Sequence, residues 1–215
     1  MPLASELAPK AAKLGLRGTV AIEEGYAFFH SFPDHRVDEA DIEAKAPVLA
    51  EFIEASCARH NFARRPVAVG FSNGAIMAAA LLLAHPDLLA GAILFRPLSP
   101  FTYDLPHRLD STPVLIIDGA KDSRRSPGDG VRLAERLVSA GALVTHHVLP
   151  ARHSITAEDK RIASEWLQAI RIWYTYSLRR GNVINGKSLG GSAAVEQIAF
   201  RRHRYVEGVH HTTQR

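Results

Sequence analysis

Pro66-Val67-Ala68-Val69-Gly70-Phe71-Ser72-Asn73-Gly74 decides the architecture of this chain. Residues 66–70 have the β-branched character of a buried strand, and residues 73–84, rich in Ala and Leu, favour a helix. Between them, Gly70-Phe71-Ser72-Asn73-Gly74 has the glycine-X-serine-X-glycine form of a nucleophile elbow. That turn is tight enough to require glycine on either side of the serine, and it lifts the serine hydroxyl above the end of a sheet. The start of the following helix aims its backbone N–H groups and the positive end of its dipole at the same point, which suits a developing oxyanion. Ser72 is thus the candidate nucleophile, and the Asn73 amide the candidate oxyanion donor.

Outward from this stretch, short apolar runs alternate with segments of helical period, and a turn signal marks each transition. Strands are expected over residues 14–22, 66–70, 91–95, 113–118 and 143–149, and helices over 38–60, 73–84, 129–140 and 156–174. Ile42, Ala46, Leu49, Ile53 and Cys57 fall on one face of the first long helix, which makes Cys57 a packed core thiol. Ile162, Trp166, Ile170 and Trp173 give the last helix its buried face, and Thr156 with Asp159 has capping-box spacing. Strands separated by helices of this length imply an α/β three-layer sandwich, a mostly parallel sheet with helices on both faces. Chemistry in such a protein lies beyond the carboxyl ends of the strands.

Two further residues share that position with Ser72. Asp122 follows strand 113–118 across Gly119-Ala120-Lys121, and His153 follows strand 143–149 across Pro150-Ala151-Arg152. Serine, acid and histidine in this chain order, each at a strand end, form the sequence of an α/β-hydrolase triad. Asp118 and Asp129 are alternative acids, but Asp118 ends its strand and Asp129 begins a helix, so Asp122 is preferred. His146 and His147 are adjacent on a strand and point to opposite faces. His30 with His35, and His210 with His211, lack further ligands at metal spacing, so neither metal nor cofactor is expected.

The chain has 215 residues, 47% apolar and 22% charged, a globular balance that excludes a disordered or collagenous protein, and its single cysteine excludes a disulfide framework. The formal charge of +4 is uneven. Residues 177–215 hold seven Lys/Arg against two acidic residues, whereas the first 176 hold 19 against 20. Residues 1–176 are therefore read as the catalytic domain and 177–215 as a basic, glycine-containing, poorly ordered tail with one helical stretch over 193–200. No base-reading or stacking motif accompanies the charge, so no specific nucleic acid is expected.

The tail holds a rival motif, Gly181-Asn182-Val183-Ile184-Asn185-Gly186-Lys187-Ser188, which fits the phosphate-loop pattern in every position. Gly190 and Gly191 break the helix that such a loop needs at Lys187, so nucleotide binding stands as the minor alternative. The longest apolar run, Ala75 to Ala84, is too short to span a membrane. The first residues carry no basic, apolar signal-peptide pattern, and the expected location is the cytoplasm.

With these residues placed, the chain resembles the phospholipase/carboxylesterase branch of the α/β-hydrolases, and within it the small carboxylesterases of hydroquinone and aromatic-ring metabolism. The resemblance rests on Arg17-Gly18 with Glu24-Gly25, on Ala68 to Ala75 around Ser72, and on Asp118-Gly119-Ala120-Lys121-Asp122 followed by His153. It implies Ser72 as nucleophile, Asp122 as orienting acid, His153 as general base and a small ester as substrate, and it allows a homodimer. Phe71, Phe101, Tyr103 and Leu105 are candidate pocket residues, although the last three serve equally to cover the sheet edge. Two departures stand out. Arg152 precedes the histidine where the family has glycine. The family's His-Gly oxyanion loop and its preceding strand belong upstream of the helix near Leu3, so the resemblance implies a hydrolase fold incomplete at its N-terminus. That strand would lie between strands 14–22 and 66–70, leaving a gap there. A catalytically impaired remnant is therefore the alternative to an active esterase.

Overall fold

Strands of uninterrupted apolar residues persist only where both of their faces are covered, and the segments Gly-Ala-Ile-Leu-Phe and Pro-Val-Leu-Ile-Ile meet that condition. The computed structural model describes residues 2–179 apart from Glu24, Pro33, His35, Ala63 and His107. In chain order its elements are α1 (Pro2–Leu7), β1 (Val20–Ile22), β2 (Gly25–Ala27), α2 (Glu39–Arg59), β3 (Val67–Phe71), α3 (Asn73–Ala84), β4 (Gly91–Phe95), β5 (Pro113–Gly119), α4 (Asp129–Ser139), β6 (Leu143–Leu149) and α5 (Ala157–Arg179). Contacts divide the chain into two units, Met1–Tyr176 and Ser177–Arg215, and the sheet and its core belong to the first.

The sheet has four strands in the order β3-β4-β5-β6, each parallel to its neighbour. Alternate residues of the two apolar strands face opposite ways, as the pleat requires. Ala92, Leu94, Val114 and Ile116 enter a core shared with Ile42, Ala46 and Ile53 of α2, with nearly all of α3, and with Leu133 and Leu137 of α4. Ile93, Phe95, Leu115 and Ile117 enter a second core with Leu7, Ile162, Ala163, Trp166 and Ile170. Helices therefore cover both faces, and the α/β three-layer sandwich expected from the sequence is what forms. Because α3 lies deep in the first core, it is apolar on every side, with Ala75 to Leu83 all buried.

The helix ends follow from their side chains. Asp38 caps α2 by accepting a hydrogen bond from the Asp41 amide at 3.1 Å. Thr156 and Asp159 form a reciprocal cap, with the Thr156 amide donating to Asp159 Oδ2 at 2.7 Å and the Asp159 amide to Thr156 Oγ1 at 3.3 Å. Cys57 is half-buried and packs against the first core.

Residues 14–22 depart from expectation. Only Val20–Ile22 is a strand, and it pairs with β2 in a separate antiparallel hairpin, Val20 opposite Ala27 and Ile22 opposite Gly25. The reason is close at hand in the chain: Gly18 lies so tightly against β2 that a side chain there would sit 2.0 Å from the Ala27 carbonyl oxygen, and Leu14 is exposed. A local hairpin costs far less closure entropy than a place in the main sheet. The hairpin stands outside that sheet, so residues 14–22 do not form the far side of the expected gap. Instead β3 is an edge strand, with β4 its one neighbour among the described strands.

No helix among the described residues is long and apolar enough to cross a membrane. The phosphate-loop segment, the stretch 193–200, His210 and His211, and the Trp173 side chain lie outside the described residues and side chains.

Candidate active site

Ser72 sits between the end of β3 and the first turn of α3 with φ 52° and ψ −114°. A non-glycine residue at positive φ is costly. The elbow is held by the Ser72 amide donating to the Phe95 carbonyl at 2.9 Å and by the Ser72 carbonyl accepting from the Ala75 and Ile76 amides at 3.0 Å each. Closure also brings Gly70 against Gly74: a Cβ on Gly70 would lie 2.5 Å from the Gly74 carbonyl carbon and oxygen. This is the physical need for glycine that the motif encodes. Asn73 ties the elbow to the segment after β2. Its Oδ1 accepts from the Phe28 amide at 2.7 Å and its Nδ2 donates to the Phe29 carbonyl at 3.4 Å. As the first residue of α3, Asn73 has a backbone N–H with no intrahelical carbonyl to meet.

The loops carrying Asp122 and His153 prolong the β5–β6 pairing past the strand ends. Ala120 N–H donates to the Leu149 carbonyl at 2.7 Å, and Lys121 N–H to the Ala151 carbonyl at 3.0 Å. Gly119 is needed here too, because a Cβ on it would meet the Ala151 carbonyl oxygen at 2.5 Å. The two loops thus advance side by side and bring acid and histidine together. His153 Nδ1 lies 2.8 Å from Asp122 Oδ2, and His153 Nε2 lies 2.9 Å from Ser72 Oγ. Asp122 is almost wholly enclosed, its side chain 1% exposed, while that of His153 is 11% exposed. A neutral imidazole that gives its Nδ1 proton to Asp122 presents a bare Nε2 to the serine hydroxyl. The Phe71 ring packs beside the imidazole, with centroids 5.1 Å apart and planes inclined by 45°.

His153 holds its proton less tightly than an ordinary histidine. Burial lowers its pKa, the hydrogen bond and charge of Asp122 raise it, and the charges of Arg125 and Arg124 lower it again. The alternative acids are engaged elsewhere. Asp118 Oδ2 meets His146 Nε2 at 2.6 Å, and Asp129 accepts from the Ser126 amide and from Arg132.

Two arginines that sequence reasoning did not single out complete the site. Arg96, directly after β4, has its guanidinium fully buried and reaches both sides of the histidine, donating from Nε to the Arg152 carbonyl at 3.2 Å and from Nη2 to the Ser154 carbonyl at 2.8 Å. Arg125 donates from Nη2 to Ser72 Oγ at 3.0 Å and from Nε to the Arg96 carbonyl at 2.8 Å. The one available signal was a lone basic residue ending an apolar strand. Arg152, which stands where the family has glycine, is exposed and contributes its carbonyl to the Arg96 anchor.

The proposed pocket residues divide. Phe71 packs on the His153 ring, whereas Phe101 is buried in the first core and Leu105 packs against it. Tyr103 gives its hydroxyl to Glu43 of α2. Thr102 contacts Glu39, and the Phe101 carbonyl accepts from Arg136 of α4. Residues 101–105 therefore bind their loop to α2 and α4. Among the described residues no three His, Cys, Asp or Glu side chains are grouped to hold a metal ion.

Residues 23–172 match the family model described as Phospholipase/Carboxylesterase. The Bacillus subtilis (strain 168) protein named "Putative hydrolase MhqD" is 35% identical over 161 residues, which cover 74% of this chain and 80% of that one. The crystal structure of a Bacillus cereus carboxylesterase superposes with a TM-score of 0.75 at 31% identity, covering 79% of this chain and 80% of the other. A carboxylesterase from Mesorhizobium loti superposes with a TM-score of 0.74 at 30% identity, covering 78% and 80%.

Proposed function

Because the chain belongs to the phospholipase/carboxylesterase family, we propose that it is a serine hydrolase that cleaves carboxylic esters through an acyl-enzyme on Ser72. The substrate is a small-molecule ester, and no cofactor takes part. The observation that carries this reading is the continuous hydrogen-bonded line from Ser72 Oγ through the His153 ring to Asp122.

The steps follow from that line. Ser72 Oγ attacks the ester carbonyl carbon while His153 Nε2 takes its proton, and Asp122 stabilises the imidazolium that results. The carbonyl oxygen, now negative, accepts from the Asn73 amide, whose position at the start of α3 adds the favourable end of the helix dipole. The imidazolium returns the proton to the departing alkoxide. Water then repeats the sequence on the acyl-enzyme, with His153 again as base. The lowered proton affinity of His153 favours the neutral ring, the form able to accept the serine proton.

A fluorophosphonate label followed by turnover of p-nitrophenyl acetate tests the reading. Labelling confined to Ser72, with hydrolysis abolished in Ser72→Ala, is the expected result; hydrolysis that survives this substitution overturns it. Labelling accompanied by negligible turnover favours instead an impaired remnant of the fold.

A further inference from the structure

Arg125 is an unusual neighbour for a serine nucleophile. Among the described residues its hydrogen bonds go to the Arg96 carbonyl at 2.8 Å, the Arg124 carbonyl at 2.9 Å and Ser72 Oγ at 3.0 Å. A guanidinium carries five N–H donors, so one on each Nη remains to serve a ligand. Among the described residues, the arginine ion pairs are those of Arg36, Arg65, Arg96, Arg132, Arg136 and Arg161, and Arg125 is in none of them.

The acids whose charges reach Arg125 are Asp122, Asp129 and Asp118, and each is committed to another cation or ring: Asp122 to His153, Asp129 to Arg132, Asp118 to His146. A half-buried cation is thus held at the nucleophile by carbonyls and a hydroxyl. Its charge also works against one step of the reaction of a neutral ester. His153 becomes an imidazolium during attack, and the charges of Arg125 and Arg124 both oppose that step. An anion brought in by the substrate removes the opposition at the moment it matters, and charge-assisted hydrogen bonds to a guanidinium are the strong ones.

We propose that Arg125 is a specificity-determining residue that receives a carboxylate of the substrate, so that the enzyme prefers esters carrying a carboxylate a few atoms from the scissile carbonyl. The inference rests on the serine-hydrolase reading above and names its substrate class. Distance sets an upper limit on the spacing. With Nη2 3.0 Å from Oγ, a carboxylate oxygen on Nη2 lies at most about 6 Å from Oγ. A carbonyl carbon in position for attack lies about 3 to 3.5 Å from Oγ. Two or three carbons bridge the two points, as in half-esters of four- or five-carbon dicarboxylic acids. The exposed Arg124 and Lys121 in the same loop, with exposed Arg152 beside the histidine, give the approach a positive sign.

The test uses the full chain and two substrates of equal acyl length, 4-nitrophenyl valerate and mono-4-nitrophenyl glutarate. Wild type is expected to favour the glutarate half-ester in kcat/KM by roughly tenfold or more. Arg125→Leu should erase most of that ratio, and Arg125→Lys, which keeps the charge without the fork, should retain part of it. Free glutarate should slow fluorophosphonate labelling of wild type and not of Arg125→Leu. Equal or better turnover of the valerate ester by wild type overturns the proposal while leaving the esterase reading intact. So does a preference that survives in Arg125→Leu, or an equal loss on both substrates, which would make Arg125 a general aid to the oxyanion or the serine. If circular dichroism shows Arg125→Leu unfolded, Arg125→Lys and glutarate protection of wild type decide, and absence of protection counts against the proposal. A wild type that neither labels nor hydrolyses either ester removes the serine-hydrolase reading and this inference with it.

Discussion

Arg96 and Asp159 meet in a two-pronged ion pair, Nη1 to Oδ1 at 2.7 Å and Nη2 to Oδ2 at 2.9 Å, with both side chains wholly withdrawn from solvent. Enclosure of two charges is expensive unless their remaining hydrogen-bonding capacity is met. Here it is met. Arg96 also donates to the Ile117, Arg152 and Ser154 carbonyls, and Asp159 also accepts from the Thr156 amide and hydroxyl. The pair therefore joins the end of β4, the end of β5, the histidine loop and the first turn of α5, and it fixes His153 from behind.

Removing one partner leaves a buried charge uncompensated, which in other proteins costs about 3 to 5 kcal/mol. Arg96→Met is expected to lower stability by that order in urea denaturation. At a temperature where the variant is still folded, kcat should fall as well, because the loop loses its carbonyl anchors. A variant with wild-type kcat would show that Arg96 serves stability alone.

Gly70→Ala tests the elbow. The added methyl would approach the Gly74 carbonyl within 2.5 Å, and both atoms belong to backbone that is fixed by the Ser72 hydrogen bonds. Overpacking of this kind costs ~1 to 3 kcal/mol, and the strain falls on the nucleophile. Thermal denaturation should register the loss, and fluorophosphonate labelling of the folded variant should slow sharply. Unchanged labelling speaks against the geometry described for the turn.

Asp122 and Asp118 separate catalysis from structure. Asp122→Asn keeps the shape but offers His153 the wrong partner for its Nδ1 proton, and in other triads that change lowers kcat by about 10⁴-fold. Asp118→Asn breaks the contact with His146 in a region where α4 packs closely, since a side chain on Gly130 would meet Asp118 Oδ2 at 1.6 Å. It is expected to cost stability and leave ester turnover within a few-fold of wild type. Equal losses of kcat in the two variants would make the assignment of the orienting acid untenable.

The readable parts of this chain are those in which burial and function act on neighbouring residues. β4 and the first five residues of β5 announce themselves because strand segments covered on both sides are uninterruptedly apolar, and Ser72, Asp122 and His153 because each lies within a few residues of the carboxyl end of a strand. Arg96 follows one too, yet nothing local distinguishes it. Its partner lies 63 positions onward, and Asp159 already accounts for itself as the cap of α5. Arg125 is one of two adjacent arginines, and which of them turns inward depends on the folded course of the loop. The misreading of residues 14–22 has a different origin: β-branched residues signal an extended chain but not its partner, and β2 is only a turn away.

The pH dependence of hydrolysis follows from the charges around His153. The ring must be neutral to accept the Ser72 proton, so kcat/KM is level at higher pH and falls as pH drops through the His153 pKa. Burial, and after the opposing pull of Asp122 the charges of Arg125 and Arg124, place that pKa below the ordinary histidine value of 6.5, so the acid limb should lie below it as well. Arg124→Ala removes a like charge, which favours the imidazolium and moves the limb to higher pH. Because Arg124 is exposed, the difference between variant and wild type should shrink as ionic strength rises. The measurement is kcat/KM on a neutral ester from pH 4.5 to 8 at two salt concentrations, about 0.02 M and 0.5 M, where the screening length falls roughly fivefold. An acid limb at or above the ordinary value in wild type, or one that moves to lower pH in Arg124→Ala, contradicts this account of the base.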